Sequence, residues 1–218
     1  MGRPAWKFLV ALPAHVGVDF ASGREGVSTS PPVRDRGPME FDESVRRRRS
    51  VRKYRREDVP LSLVSELIDL ARNAPSSLDR QPWIFIVVRE EGTKQRLAEI
   101  KNRFCPPEKR AFSADFLAGA PVLIVVCVDG EKAGDRAVEN GVLAASHLLL
   151  GAVGRGLGGV YLSAYNRDEP ALAEAIRHLL TIPGHVLPVA IIPLGYPDEA
   201  PRPKSLRPLE EMIRHEKF

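Results

Sequence analysis

A short basic stretch, Arg48–Arg49–Ser50–Val51–Arg52, has the residue types best suited to binding an anion. It lies in a run from Arg46 to Arg56 that contains eight Lys or Arg side chains and no acid. Like charges held this close repel one another unless an anion neutralises them. Arginine forms bidentate hydrogen bonds to phosphate oxygens, and serine adds a short donor. The stretch predicts a phosphate site, although by itself it is more often typical of a solvated charge run or a nucleic-acid surface.

Two other stretches could contribute to the same site. Residues 74–83 are small and polar and connect a predicted helix to a predicted strand, which suits a loop pressed against a planar ligand. An ordinary helix-to-strand turn is an equal alternative. Lys204 and Arg207 form a second basic cluster far along the chain, and two such clusters can converge on one phosphate. Viewed alone, this second cluster is more typical of a solvated tail.

The rest of the sequence offers little side-chain catalysis. Gly154, Gly156 and Gly159 match G-x-G-x-x-G, but a helix precedes them and a strand follows, the reverse of a dinucleotide-binding unit. We expect them to end the helix in a left-handed turn. The five histidines show no i, i+4 pair, so no metal site is predicted. If the protein is an enzyme, a bound cofactor should carry the chemistry.

Composition is that of a globular protein of 218 residues, with 44% hydrophobic and 28% charged residues. The net charge is +4, of which residues 39–218 carry only +2, so bulk nucleic-acid binding is not expected. Two cysteines make no disulfide framework, and Cys127 is expected to be a buried small hydrophobe; a reduced, cytoplasmic protein is predicted. No apolar run reaches the ~18 residues of a membrane span, so no membrane association is expected.

Residues 1–38 differ from the remainder. Gly, Ser, Pro and Arg dominate from Ala21 to Pro38 without helical or strand periodicity. We interpret 1–38 as a disordered or dispensable arm, and we hypothesise that natural translation starts at Met39. Residues 39–218 are then one domain. A peptide from residues 1–38 in mass spectra of the native protein would contradict the alternative start.

Apolar periodicity predicts the elements of this domain. Helices are expected over 41–49, from Pro60 to about Ala71, after a Thr93 cap, over 139–153, from Asp168 and Pro170, and over 209–215. Strands are expected over 83–88 and 122–128, both buried, over 160–164, and over 186–194. Pro188 and Pro193 indicate an edge or irregular position for the last strand. The helix over 139–153 is apolar on nearly every face, so it is central or lies in a subunit interface. Together these elements indicate a mixed α+β layer fold.

The order of the motifs resembles the FMN-dependent nitroreductase family. Arg-Arg-Ser-Val-Arg comes first, Ala-Pro-Ser-Ser-x-x-x-Gln-Pro-Trp second, Ala-Pro before a strand third, then Gly-Leu-Gly and a C-terminal Lys/Arg pair. The first two motifs are specific in combination, whereas Gly-Leu-Gly is weak. The resemblance covers Phe41 to Ile213. It implies an α+β fold with a mixed central sheet flanked by helices, and an intertwined homodimer with two FMN molecules in its interface.

The resemblance also implies which residues bind the cofactor. Arg48, Arg49, Ser50 and Arg52 would hold the phosphate and the pyrimidine side of the flavin, with Arg52 also polarising N1/O2 as the one catalytic candidate. Pro75, Ser76 and Ser77 would reach the flavin bound mainly by the partner subunit. The remaining implied cofactor-binding residues are Asp79 (where the family usually has Asn), Gln81, then Leu162, Ser163 and Ala164 beside the ring near N5, and finally Lys204 and Arg207 at the phosphate.

The resemblance implies an oxidoreductase that passes a hydride from NADH or NADPH through flavin N5 to a conjugated acceptor, such as a nitroaromatic or a quinone, by a ping-pong mechanism. Within the fold, the alternatives are dimethylbenzimidazole synthesis or reductive dehalogenation. A non-catalytic flavin-binding or storage protein is an alternative from another class. The acceptor and the choice between NADH and NADPH are not encoded in any motif.

Overall fold

The computed structural model describes residues 39–105, 112–201 and 203–218, so the predicted arm over 1–38 lies outside the described residues. A five-stranded sheet is built from β1 (Trp83–Val88), β2 (Val122–Asp129), β3 (Gly158–Gly159), β4 (Leu162–Ser163) and β5 (Val186–Gly195). The strand order is β1–β2–β5–β3, and β4 also pairs with β5. These four pairings are antiparallel. A parallel bridge joins Ser50 to Gly159.

Helices cover both faces of the sheet. They are α1 (Phe41–Arg47), α2 (Leu61–Ala71), α3 (Glu91–Arg103), α4 (Phe116–Gly119), α5 (Gly130–Ala133), α6 (Ala137–Gly154) and α7 (Pro170–Leu180). Because side chains alternate along a strand, Ile124 and Val126 of β2 pack into the core beneath α2 and α6. Leu123 and Val125 pack into a second core formed with α3, α4 and α7. The predicted α+β fold is confirmed.

Helix α6 is central, as its all-round apolar sequence predicts. It contributes Ala144, Ala145 and Leu148 to the first core. Residues 130–154 also have the length and hydropathy of a membrane-spanning helix, but one such stretch is weak evidence because core helices pass the same test. The helix ends at Gly154, and Gly156 follows in the expected left-handed conformation at φ +75°, whereas Gly159 lies in β3.

Strand β5 is not at the edge of the sheet, because it pairs with β2 on one side and with β3 and β4 on the other. The predicted irregularity is real. The register of β2 against β5 shifts between Val126 and Cys127, and Pro188 pairs with Cys127 at that bulge. On its other side, β5 pairs with β3 up to Leu194 and with β4 from Ile191. Pro193 lies in the gap between these two pairings. The two prolines therefore occupy the places where the ladder is interrupted.

Other boundaries also differ from the prediction. Strand β1 is an edge strand, and Ile84 and Val87 are 40% and 37% exposed, so it is not covered on both faces. Glu90, and not Thr93, caps α3, because its carboxylate accepts from the N–H groups of Gly92 and Thr93. Of the strand predicted over 160–164, only the two-residue β4 is formed, and β3 lies before that range. The last predicted helix is only a 3₁₀ turn over Leu209–Glu211, and α1 ends at Arg47.

Candidate functional site

The basic stretch continues into an extended segment, residues 48–55, which we call the basic strap. On one side it pairs with β3. The N–H of Val51 donates to the carbonyl of Gly159 at 3.0 Å, next to the bridge between Ser50 and Gly159. The buried Val51 side chain packs against Gly158, where an added Cβ would lie 2.7 Å from Val51 Cγ2. The contact with the sheet therefore fixes the strap at its middle.

On the other side the strap pairs with the segment that follows β5. The N–H of Arg55 donates to the carbonyl of Tyr196 at 2.9 Å, and the N–H of Asp198 donates to the carbonyl of Lys53 at 3.0 Å. One carboxylate oxygen, Glu199 Oε1, accepts from the N–H groups of Arg52 at 2.5 Å and Lys53 at 3.1 Å. The strap is thus held between two backbone segments.

Tyr54 fixes the strap from within. Its hydroxyl donates to the carbonyl of Val51 at 2.6 Å. Burial raises the pKa of the Tyr54 phenol, and the nearby Glu199 carboxylate raises it further, so the hydroxyl stays protonated and remains a donor. The turn between Val51 and Tyr54 is therefore stable across the physiological pH range.

The guanidinium groups of the strap differ in their surroundings. Arg49 Nη1 donates to the carbonyls of Arg46 and Arg48, both at 2.8 Å, so it closes the C-terminal end of α1. Arg48 is half-buried and Arg52 is exposed, and across the described part of the chain no carboxylate oxygen lies within 4.0 Å of either guanidinium. Arg52 Cζ lies 5.9 Å from the centre of the Phe116 ring. Two cations beside an exposed serine hydroxyl form a donor set suited to an anion.

The loop over 74–83 has a strained backbone. Leu78, Asp79 and Gln81 have φ values of 54°, 51° and 47°, a region that non-glycine residues seldom occupy. The hydroxyl of Ser76 accepts from the N–H of Gln81 at 3.0 Å, and Asp79 Oδ1 accepts from Gln81 Nε2 at 3.1 Å. Strain of this kind persists only where the surroundings impose it, and it concentrates at ligand sites.

Asn140 of α6 holds this loop. Its Oδ1 accepts from the N–H of Ser77 at 3.2 Å, and its main-chain carbonyl accepts from Trp83 Nε1 at 2.9 Å. The residue is only 3% exposed, yet its Nδ2 is buried without a hydrogen-bond acceptor among the described residues. A buried unpaired amide costs about 1–3 kcal/mol, so an acceptor from outside the described protein atoms, such as a water, a ligand or another chain, would stabilise it.

The third predicted group lies on β4 and just after it. Leu162 and Ala164 are buried, and the N–H of Ala164 donates to the carbonyl of Val189 at 2.9 Å. Ser163 is exposed, and its carbonyl accepts from Lys101 Nζ at 2.7 Å. Strand β3 holds the strap, and both β3 and β4 pair with β5. The sheet therefore connects residues 162–164 to the strap.

Lys204 and Arg207 lie exposed on the C-terminal tail. Arg207 Nε lies 3.3 Å from Glu211 Oε2, a partner within the same tail. Pro75 is exposed at the start of the loop over 74–83. The described residues contain no group of three or more His, Cys, Asp or Glu side chains that could hold a metal ion.

Comparison with known proteins identifies the fold. Residues 45–196 match the model of the Nitroreductase family, a region that includes the strap, the loop over 74–83 and β4 but ends before Lys204. The chain belongs to the nitroreductase family. A provisionally named NADH dehydrogenase/NAD(P)H nitroreductase of Methanothermobacter thermautotrophicus is 37% identical over 170 residues, which cover 77% of this chain and 83% of that protein.

Solved nitroreductase-family structures superpose over most of the chain. An FMN-dependent nitroreductase of Clostridium difficile is similar with a TM-score of 0.69 at 28% identity, covering 80% of this chain and 98% of that one. An oxidised iodotyrosine deiodinase bound to FMN and 3-iodo-L-tyrosine has a TM-score of 0.69 at 26% identity, covering 82% of this chain and all of that one.

Sequence reasoning missed three residues that shape this candidate site. Asn140 has a visible signal, because it is a polar residue in a mostly apolar helix. Tyr54 and Glu199 have none, because their partners are main-chain atoms and the Glu199 contacts join residues 147 and 146 positions apart. Spacing along the chain cannot reveal such contacts.

Proposed function

We propose that the chain is an FMN-dependent oxidoreductase that uses NADH or NADPH and a conjugated acceptor. When bound, FMN would supply the redox chemistry, which is hydride transfer from the nicotinamide through N5 to an acceptor such as a nitroaromatic or a quinone. Membership of the family supports the class of reaction, and relatives carry FMN-dependent and NAD(P)H-dependent names. The observation that carries the proposal is the donor set at the strap.

The residues fit a flavin phosphate. Arg48, Ser50 and Arg52 supply two guanidinium groups and a hydroxyl, and neither guanidinium has a carboxylate partner within the described ranges. Their backbone is fixed by the sheet and by the tail segment, so little ordering entropy is lost when an anion binds. These residues would hold the phosphate, with Arg49 at the end of α1 beside them, and Lys204 and Arg207 would close over it from the tail.

Other residues would orient the cofactor. Pro75, Ser76 and Ser77, together with Asp79 and Gln81, form a loop whose unusual backbone is held by Asn140, and we assign it to the flavin edge. Leu162, Ser163 and Ala164 would line the ring with main-chain groups. Arg52, exposed on the strap, would offset the negative charge of the reduced cofactor.

We further propose that the working form is a cytoplasmic homodimer. Apolar side chains are exposed on three helices, including Phe41 of α1 at 68%, Leu61 of α2 at 57% and Val142 of α6 at 41%, and both α1 and α2 contact α6. Exposed apolar side chains on neighbouring helices are typical of a surface that meets another protein. Burial raises the pKa of the Cys127 thiol to about 12, which keeps it an inert core group and suits a reducing compartment.

Absorption spectra and steady-state kinetics of the purified protein test this proposal. The purified full-length protein should have a flavin absorption spectrum, and mass spectrometry of the released cofactor should identify FMN. It should oxidise NADH or NADPH when a quinone or nitroaromatic is added, and double-reciprocal plots at several acceptor concentrations should be parallel. Flavin binding without turnover would favour a storage protein, and intersecting plots would exclude the ping-pong mechanism.

Reductive dehalogenation is the second candidate. It is favoured by the similarity to a deiodinase bound to FMN and 3-iodo-L-tyrosine, which covers 82% of this chain. Dimethylbenzimidazole synthesis has no comparable support. Release of iodide from 3-iodo-L-tyrosine by the chemically reduced protein, at a rate above that of free reduced FMN, would select dehalogenation over general nitroreductase activity.

A further inference from the structure

The carboxylate of Glu199 has an unusual location. It lies on the segment after β5, half-buried, within the most basic part of the chain. Its Oε1 accepts from two consecutive main-chain N–H groups, those of Arg52 and Lys53, at 2.5 and 3.1 Å. It makes no ion pair within 4.0 Å to a strap guanidinium in the described residues. Glu199 therefore contacts the backbone of the strap and does not occupy the guanidinium groups as an ion-pair partner.

The two N–H groups that Glu199 binds lie on the basic strap, which carries three donors of the proposed phosphate site, Arg48, Ser50 and Arg52. Arg52 itself carries one of them, and Ser50 lies two residues earlier. From the other direction, Tyr54 donates to the carbonyl of Val51 at 2.6 Å, and the bridge to Gly159 fixes Ser50. If the Glu199 contacts were lost, the strap would stay attached at Ser50 but residues 52 and 53 would lose their side-chain anchor.

We propose that Glu199 is a positioning residue that orders the basic strap for the flavin phosphate by accepting from the N–H groups of Arg52 and Lys53. This inference rests on the proposed function. It assigns to Glu199 no contact with flavin or substrate. The role requires a hydrogen-bond acceptor at Oε1 rather than a negative charge, because both contacts use that one oxygen.

Substitution can separate the need for a hydrogen-bond acceptor at residue 199 from the need for a negative charge there. Glu199→Gln keeps an acceptor oxygen and removes the charge, whereas Glu199→Ala removes both. Asp198→Asn is the matched control, because it removes a neighbouring exposed carboxylate that has no hydrogen-bond partner among the described residues. The main-chain bond from the Asp198 N–H to Lys53 is retained in that control.

Two measurements on the full-length protein test the inference. In flavin titrations of the apoprotein, Glu199→Ala should bind FMN about tenfold more weakly than the parent while its affinity for riboflavin, which lacks the phosphate, changes less than about twofold. Glu199→Gln and Asp198→Asn should both stay within about threefold of the parent. In the flavin-free protein, amide hydrogen exchange at Arg52 and Lys53 should be faster in Glu199→Ala only.

Other results of these titrations would contradict the inference or the proposed function. Unchanged FMN affinity in Glu199→Ala, or equal losses for FMN and riboflavin, would overturn the positioning role while leaving the proposed function intact. A failure of Glu199→Gln to restore affinity would show that the charge matters, which also contradicts the inference. A parent protein that binds no FMN would overturn the proposed function, and the inference with it.

Discussion

At the scale of single residues, the proposed phosphate site depends on Arg48 and Arg52, which form no ion pair within the described part of the chain. Arg47 and Arg48 are neighbours, yet Arg47 pairs with Glu43 at 3.0 Å on the exposed face of α1, whereas Arg48 is half-buried without such a partner in the described structure. The ion-pair partner of each arginine therefore indicates its role better than its position in the sequence does. The difference also provides a matched pair for mutation.

The first residue-scale prediction concerns Arg48. Charge-assisted hydrogen bonds are worth roughly 1.5–3 kcal/mol, so Arg48→Ala should weaken FMN binding about tenfold to a hundredfold. Arg47→Ala, which removes an equal charge one residue away, should leave the affinity within about threefold, because its guanidinium is already paired at the surface. Fluorescence titration of apoprotein with FMN measures both. Equal losses in the two variants would point to a general charge effect and against a phosphate contact.

The second residue-scale prediction concerns Arg52. We expect Arg52→Ala to slow flavin reduction by NADH or NADPH at least tenfold in stopped flow, because the reduced cofactor loses a nearby cation. Ser76→Ala should have a smaller effect, since the Ser76 hydroxyl supports the loop by accepting from the N–H of Gln81. Arg52→Lys, which keeps the charge, is the control and should recover part of the rate. An unchanged rate in Arg52→Ala would leave this residue only a structural role.

At the scale of elements, the sequence was sufficient where apolar periodicity is strong. Leu67 of α2 and Leu148 of α6 lie in one core, and β2 is buried throughout, as their patterns indicate. The position of β5 could not be predicted, because Pro188 and Pro193 are normally signs of an edge strand. Here a bulge and a break between two short partner strands accommodate them, and both features depend on contacts between distant segments.

The candidate site also has features that the sequence predicts and features that it does not. The residue types of the strap and of the loop over 74–83 indicate an anion and a planar ligand, and the family resemblance adds a cofactor. The left-handed φ of Leu78, Asp79 and Gln81 could not be predicted, since none of them is glycine. A tertiary contact from Asn140 and the hydrogen bond from the Gln81 N–H to Ser76 within the loop stabilise that backbone, and residue propensity includes neither.

The element-scale prediction concerns the attachment of the strap to β3. A Cβ added at Gly159 would lie 2.7 Å from the carbonyl oxygen of Pro193 and 2.9 Å from Leu194 Cδ2, so the strand would have to move. Gly159→Ala should lower the free energy of unfolding by about 1–3 kcal/mol and weaken FMN binding. Gly119→Ala is the control, because a Cβ there meets no atom within 4 Å. Urea unfolding of both proteins measures the difference, and a Gly159→Ala protein as stable as Gly119→Ala would contradict the close packing.

At the scale of the whole molecule, two features support the proposed homodimer and its cofactor. The first is the set of exposed apolar side chains on α1, α2 and α6. The second is the buried Nδ2 of Asn140, which has no acceptor in the described part of this chain and holds the loop that we assign to the flavin edge. A homodimer would cover the first feature, and the cofactor or the partner loop could complete the second. Assembly and cofactor binding should therefore be coupled.

The last prediction tests that coupling. Permanent interfaces bury about 2,000 Å² or more, so the parent should remain a dimer of the 24.1 kDa chain at micromolar concentration in sedimentation equilibrium. Val142→Glu places a charge on the α6 face, where Val142 is 41% exposed in the single chain, and should shift the protein towards monomer because a buried unpaired charge is costly. FMN should then bind more weakly although every strap residue is unchanged. Ala171→Glu, at an exposed position in the first turn of α7 where an acid is favoured, is the control and should remain dimeric. A monomeric parent that retains FMN would show that one chain builds the whole site.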